Sequence, residues 1–182
     1  MCIRDSTDLL ASGPEISIAT KFASTASGVD DDYVGFVFGF SPGDWTNPGA
    51  DFMILAWKDL TQTNNFTGNP QDNACPNATA TRGLELIRVN GVVAGDELWQ
   101  RSDCAGTSGT VTGVGTSLNF ANTGYVTAGL PTVKVVYSET RIRVYVNEVL
   151  DIDVSGTFPT TCLLYTSPSP RDATLSRMPS SA

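Results

Sequence analysis

The 182-residue sequence contains no histidine. That removes the commonest metal ligand and the commonest general base, and with them Ser-His-Asp and Cys-His catalysis and histidine-type zinc sites. Basic residues are few: 11 Lys and Arg stand against 19 Asp and Glu, a formal net charge of −8. A nucleic-acid binder needs a basic face, so this balance argues against that class. No apolar run approaches the roughly 20 residues of a membrane helix, which argues against membrane insertion. What is abundant is turn chemistry. Seventeen glycines and ten prolines, with many threonines, suggest an all-β fold with many turns.

The two ends read differently from the middle. Back-translated, Cys162-Leu163-Leu164-Tyr165-Thr166-Ser167 and the Pro168–Asp172 stretch resemble transposase mosaic-end DNA followed by a sequencing-library adapter. Met1-Cys2-Ile3-Arg4-Asp5-Ser6 resembles the same element read from the other strand. The expected organisation is therefore an adapter-derived segment at 1–6, a partial β-sandwich domain at 7–161, and an adapter-derived, disordered segment at 162–182 lying off the sandwich. Of the four cysteines, Cys75 and Cys104 then remain in the domain.

Strand periodicity dominates the middle. Tyr33–Phe40 is rich in aromatic and β-branched residues and ends at the turn cluster Ser41-Pro42-Gly43-Asp44. Asp51–Lys58 is a nearly continuous apolar run, the pattern of a strand covered on both faces. Leu84–Val89 alternates and meets Asn90-Gly91, a strong two-residue hairpin signal. A meander follows: Val133–Tyr137, Arg141–Val146, a turn near Asn147-Glu148, then Val149–Val154. In Arg141–Val146, the residues Ile142, Val144 and Val146 share one face, and Arg141, Arg143 and Tyr145 the other. Residues 60–82 and 102–117 read as polar loops. The predicted architecture is an antiparallel sandwich or jelly roll.

Cys75 and Cys104, one in each polar loop, read as a disulfide and hence an oxidising compartment, extracellular or periplasmic. Closing a loop of about 30 residues contributes on the order of 3–4 kcal/mol in the chain-entropy model. Two independent thiols are the alternative. Asp30-Asp31-Asp32 precedes the first aromatic strand. Calcium takes oxygen ligands, mostly carboxylates and carbonyls. On an extended chain Asp30 and Asp32 point one way and Asp31 the other, so a further ligand would come from another loop. A solvated acidic loop blunting a sheet edge is the alternative.

The run Asp30-Asp31-Asp32-Tyr33-Val34-Gly35-Phe36-Val37-Phe38-Gly39-Phe40, followed by Phe52-Met53-Ile54-Leu55-Ala56-Trp57-Lys58, resembles the thrombospondin C-terminal domain. Weaker similarities extend the pattern over most of 16–158: Gly83-Leu84-Glu85-Leu86, Glu97-Leu98-Trp99 and Asn122-Thr123-Gly124-Tyr125, with Tyr for the family's Trp. The resemblance implies a concanavalin-type, lectin-like β-sandwich that is extracellular, binds calcium and serves adhesion. It implies a Ca2+ site at Asp30, Asp31 and Asp32. It also implies truncation at both ends, because the strands before Asp30 look incomplete and the family's closing strand after Phe158 is missing. The Cys75–Cys104 pair has no counterpart in that pattern.

The primary functional expectation is a secreted or cell-surface, non-catalytic module with an extracellular protein or glycan ligand. A carbohydrate-binding module is the alternative, with Trp45, Trp99 and Tyr125 as aromatics that could stack on sugars or could be core residues. A glycoside hydrolase would need two flanking carboxylates. Asp151 and Asp153 have that kind of spacing but lack the glutamates of concanavalin-type glucanases, so both read as solvent-face residues of a meander strand.

Overall fold

The structure is a computed structural model and describes residues 16–21, 33–63, 79–92, 110–159 and 165–166. The strands among them are β1 (Ile16–Lys21), β2 (Tyr33–Phe38), β3 (Asp51–Lys58), β4 (Gln62–Thr63), β5 (Thr79–Ala80), β6 (Gly83–Asn90), β7 (Val111–Thr116), β8 (Thr132–Tyr137), β9 (Arg141–Val146), β10 (Val149–Ser155) and β11 (Tyr165–Thr166). They form a four-stranded sheet in the order β1-β8-β9-β10, a five-stranded sheet in the order β11-β2-β3-β6-β7, and the small pair β4-β5. Every pairing is antiparallel. The two large sheets pack face to face, so the chain is an all-β antiparallel sandwich.

The side-chain period explains the packing. In β9 the inward residues Ile142, Val144 and Val146 are at most 2% exposed, while Arg141 is exposed and Arg143 and Tyr145 are half-buried on the other face. These inward residues meet Phe36, Phe38, Met53, Leu55, Trp57, Leu84 and Leu86 of the facing sheet in one core. β3 differs from β9. Its even-numbered residues Phe52, Ile54 and Ala56 are also buried, in a second cluster with Phe40, Ile87, Val89 and Val111. The five-stranded sheet is thus covered on both faces there, as the unbroken apolar run of β3 predicts.

Three expectations need correction. Asn90-Gly91 does not close a two-residue hairpin. β6 pairs with β7, Val89 facing Val111, and the Asn90 amide donates to the Thr110 carbonyl, so the connection spans the intervening residues. The 102–117 stretch is not all loop, since β7 lies inside it. Its glycines hid it from a propensity reading, yet one of them is required by packing. A Cβ on Gly115 would sit 2.8 Å from Ile152 Cγ2 and 3.0 Å from Val154 Cγ2, where β7 meets β10 at the sandwich corner. Finally, Asp151 is not a solvent-face residue, for the reason given below. Of residues 162–182, Tyr165 and Thr166 are described, and they pair with Val37 and Phe36 at the outer edge of β2.

Candidate functional site

The two segments that carry the family resemblance form the middle of the five-stranded sheet. β2 and β3 pair in unbroken register from Tyr33–Lys58 to Phe38–Met53, and Lys58 pairs on its other side with Gly83 of β6. The sheet end defined by Tyr33, Lys58 and Gly83 is closed by the turn region 117–131. The Trp57 indole Nε1 donates to the Thr123 carbonyl at 2.7 Å, and its ring packs on Phe120 at 5.2 Å. The Val126 amide donates to Asp59 Oδ1 at 3.0 Å, and Gly124 lies against the Asp59 backbone. Lys58 has no exposed surface, and Asp59 is 6% exposed. A buried cation and a buried carboxylate thus stand side by side where β3 ends, and Asp30–Asp32 immediately precedes Tyr33 in sequence.

Asp30, Asp31 and Asp32 themselves lie outside the described residues, as do Cys75, Cys104 and Trp99. Among the described residues no group of three or more His, Cys, Asp or Glu is placed to hold a metal ion.

The two carboxylates of β10 have separate structural tasks. Asp153 accepts a bidentate pair from Arg141, Nε at 2.8 Å and an Nη at 2.6 Å. That guanidinium holds the Asp153 carboxyl below its ordinary range. Asp151 is the extra residue of a β-bulge between Leu150 and Ile152. The bulge breaks the simple alternation, and the 117–120 turn covers the side chain completely. Asp151 Oδ1 accepts from the Asn119 amide at 3.0 Å and from Asn119 Nδ2 at 2.9 Å, while its carbonyl accepts from the Leu118 amide. Asp151 Oδ2 has no hydrogen-bond partner. Asp151 therefore clasps the end of β7 to β10 and is fully buried, whereas Asp153 is exposed and paired with Arg141.

The opposite sheet end carries a different cluster. Arg88 Nε and Nη2 grip Asp51 at 2.7 and 2.6 Å, and Arg88 Nη1 reaches the Thr157 carbonyl at 3.2 Å. The Asp51 bond raises the Arg88 pKa further. Tyr137 stacks on Phe38, with ring centroids 5.3 Å apart, and its buried hydroxyl has no hydrogen-bond partner. Burial is the main cause that pushes its phenol up, and the Asp51 charge adds to it.

Of the candidate sugar-stacking aromatics, Tyr125 belongs to the core at 6% exposure, whereas Trp45 is 50% exposed. Trp45 sits in the 3-10 turn Asp44–Thr46 and packs on Phe40 and Phe52. Sequence reasoning had no signal separating these two rings. It also missed Lys58 and Asp59 as buried charges, since nothing in the run Trp57-Lys58-Asp59 marks where the strand is covered.

Neither a protein-family model nor a curated protein matches this chain.

Proposed function

We propose that the chain is a secreted or cell-surface, non-catalytic binding and adhesion module of the thrombospondin C-terminal type, taking Ca2+ through Asp30, Asp31 and Asp32. The supporting observation is the register of β2 on β3: the two motif segments are neighbouring strands, Tyr33 opposite Lys58, at the centre of a β-sandwich sheet. An acidic triplet leading into that strand supplies the hard oxygen ligands calcium prefers, with the remaining ligands coming from other loops. A Cys75–Cys104 disulfide and an extracellular location belong to the same reading. The carboxylates of β10 support a non-catalytic role, because Arg141 and Asn119 already engage them.

Calcium titration of the whole chain, followed by thermal melting, tests this. A ligand that binds only the folded state raises the melting temperature with concentration. The expected result is a rise at micromolar to millimolar calcium, reversed by chelator and absent in an Asp30→Asn, Asp31→Asn, Asp32→Asn variant. No response at millimolar calcium, or an equal response in the variant, overturns the calcium assignment.

A carbohydrate-binding role is the second reading, favoured by the half-exposed Trp45 ring. A concanavalin-type glycoside hydrolase would instead release reducing ends, lost in Asp151→Asn.

A further inference from the structure

Trp45 is the one large aromatic that stands exposed among the side chains described, and it packs on two neighbouring rings. The ring leans on Phe40 at 5.5 Å and meets Phe52 nearly edge-on at 5.9 Å, while half of its surface stays open. The preceding residue, Asp44, is buried and fixes the turn. Asp44 Oδ2 accepts from the Ser41 amide at 2.6 Å and Oδ1 from Asn47 Nδ2 at 3.4 Å. The chain then turns back through three more bonds: the Thr46 amide to the Gly43 carbonyl, the Gly49 amide to Asn47 Oδ1, and the Ala50 amide to the Asn47 carbonyl. The Gly91 amide ties this loop to the end of β6 through the Ala50 carbonyl. Pro42 and Pro48 restrict it further.

From this arrangement we infer that Trp45 is a preformed stacking platform for an uncharged pyranose ring of a neutral polysaccharide. Three features carry the inference. An aromatic face attracts the weakly positive C–H groups of a sugar ring through its quadrupole. A ring already immobilised by packing loses little entropy on binding. The segment Gly39–Ala50 has one charged side chain, Asp44, and that carboxylate is buried and engaged, whereas Thr46 and Asn47 are exposed polar neighbours. Among the described residues this segment offers stacking and neutral hydrogen bonds, and it carries no Lys or Arg to recruit a sulfate or carboxylate. The inference rests on the reading of the chain as an extracellular binding module and names one ligand class for it.

The test uses the whole chain in affinity gel electrophoresis and titration calorimetry, with β-glucan, galactomannan and xylan as neutral probes and alginate as an anionic one. The expected result is retention on at least one neutral polysaccharide, weakened about tenfold or more in Trp45→Ala and less in Trp45→Tyr. Binding should also shift tryptophan emission in the parent chain and not in Trp45→Phe. Melting curves of each variant show whether it folds, and Trp45→Tyr and Trp45→Phe carry the test if Trp45→Ala does not. Equal retention by every folded variant, retention on alginate alone, or no retention at all overturns the inference. Calcium-dependent melting in the parent chain distinguishes the two failures. If it persists without polysaccharide binding, only the platform falls; if both are absent, the module reading falls with it.

Discussion

Asp151 offers the sharpest stability test. Its carboxylate has no exposed surface, accepts two hydrogen bonds from Asn119 on Oδ1, and leaves Oδ2 without a hydrogen-bond partner. Asp151→Ala deletes the acceptor and strands the Asn119 amide and Nδ2. A stranded buried donor costs about 1–3 kcal/mol, and the turn that locks β7 to β10 loses its clasp. Because Asn119 is itself exposed and Nδ2 can turn to water, the expected net loss is about 2–4 kcal/mol. Asp151→Asn behaves differently. It keeps an Oδ1 for both donors and exchanges one unpartnered buried atom for another. It also removes a buried charge, whose desolvation amounts to several kcal/mol when nothing compensates it.

The expected ordering is therefore Asp151→Asn equal to or above the parent and Asp151→Ala well below it, separated by about 2 kcal/mol or more. For a chain of this size that gap corresponds to roughly 4–8 °C in melting temperature. Urea unfolding with a common slope measures it without assuming identical thermal parameters. If Asp151→Asn proves as damaging as Asp151→Ala, the reasoning is wrong. The charge itself would then be stabilising, Oδ2 would have to face a cation, and Asn119 would not be the main partner. The same Asp151→Asn protein answers the catalytic alternative, because a hydrolase using Asp151 would lose turnover while keeping its fold.

Other outcomes follow from single residues. Gly83 adopts φ 127°, and a Cβ there would run into the Ala121 and Phe120 carbonyls. Gly83→Ala should lower stability by about 3 kcal/mol or more in urea melts, and an unchanged midpoint would mean the 120–121 turn is not seated on β6. Tyr137 has its pKa raised above 10.0 by burial, so the unfolded chain ionises first and stability falls as pH rises past that value. Tyr137→Phe removes this alkaline loss and its partnerless hydroxyl, so it should equal or exceed the parent at neutral pH and diverge upward above pH 10, measured by urea unfolding against pH. For Asp153 the sign is opposite. Its folded-state pKa is lowered by Arg141, so the benefit is present above 3.8 and fades as pH falls below it. Parent and Asp153→Asn stability curves should therefore converge in acid, and curves that stay parallel would remove the ion pair from the account.

Much of the sandwich was legible because burial follows the strand period. The alternation in Arg141–Val146 assigns each face of β9 correctly, and the unbroken run Asp51–Lys58 identifies a strand covered twice. Asn147 and Glu148 form the expected turn, both with positive φ. The failures share a cause, namely dependence on partners distant in sequence. β7 carries two glycines among its six residues, and Gly115 is one of them because it must admit Ile152 and Val154 from the other sheet. Asp151 obeys the alternation of its strand until a bulge and a turn 32 residues away bury it. Trp45 and Trp57 both adjoin aspartate or lysine in sequence, yet one is 50% exposed and the other fully buried. Trp57 lies on the inner face of a central strand, and Trp45 on a turn at the sheet's margin.

This distribution of burial also limits where recognition can occur. Along β3 and β6 the five-stranded sheet has no free apolar face, since Phe52, Ile54, Ala56 and Ile87 are at most 2% exposed on the side away from the core. On the outer face of the four-stranded sheet two cations are engaged within the chain, Arg141 with Asp153 and Lys134 with Glu148 and the Tyr145 ring. A partner docking there would have to compete with contacts already made, each weak alone because exposed ion pairs contribute little. The Trp45 ring at the sheet margin, by contrast, is half open. Its turn is fixed by the buried Asp44 carboxylate, whereas Lys58 and Asp59 at the end of β3 are buried and Asp59 already accepts from the Val126 amide. On the proposed reading, substitutions at Trp45 or the acidic triplet should change binding, whereas Arg141→Ala and Lys134→Ala should alter stability slightly and leave polysaccharide retention unchanged.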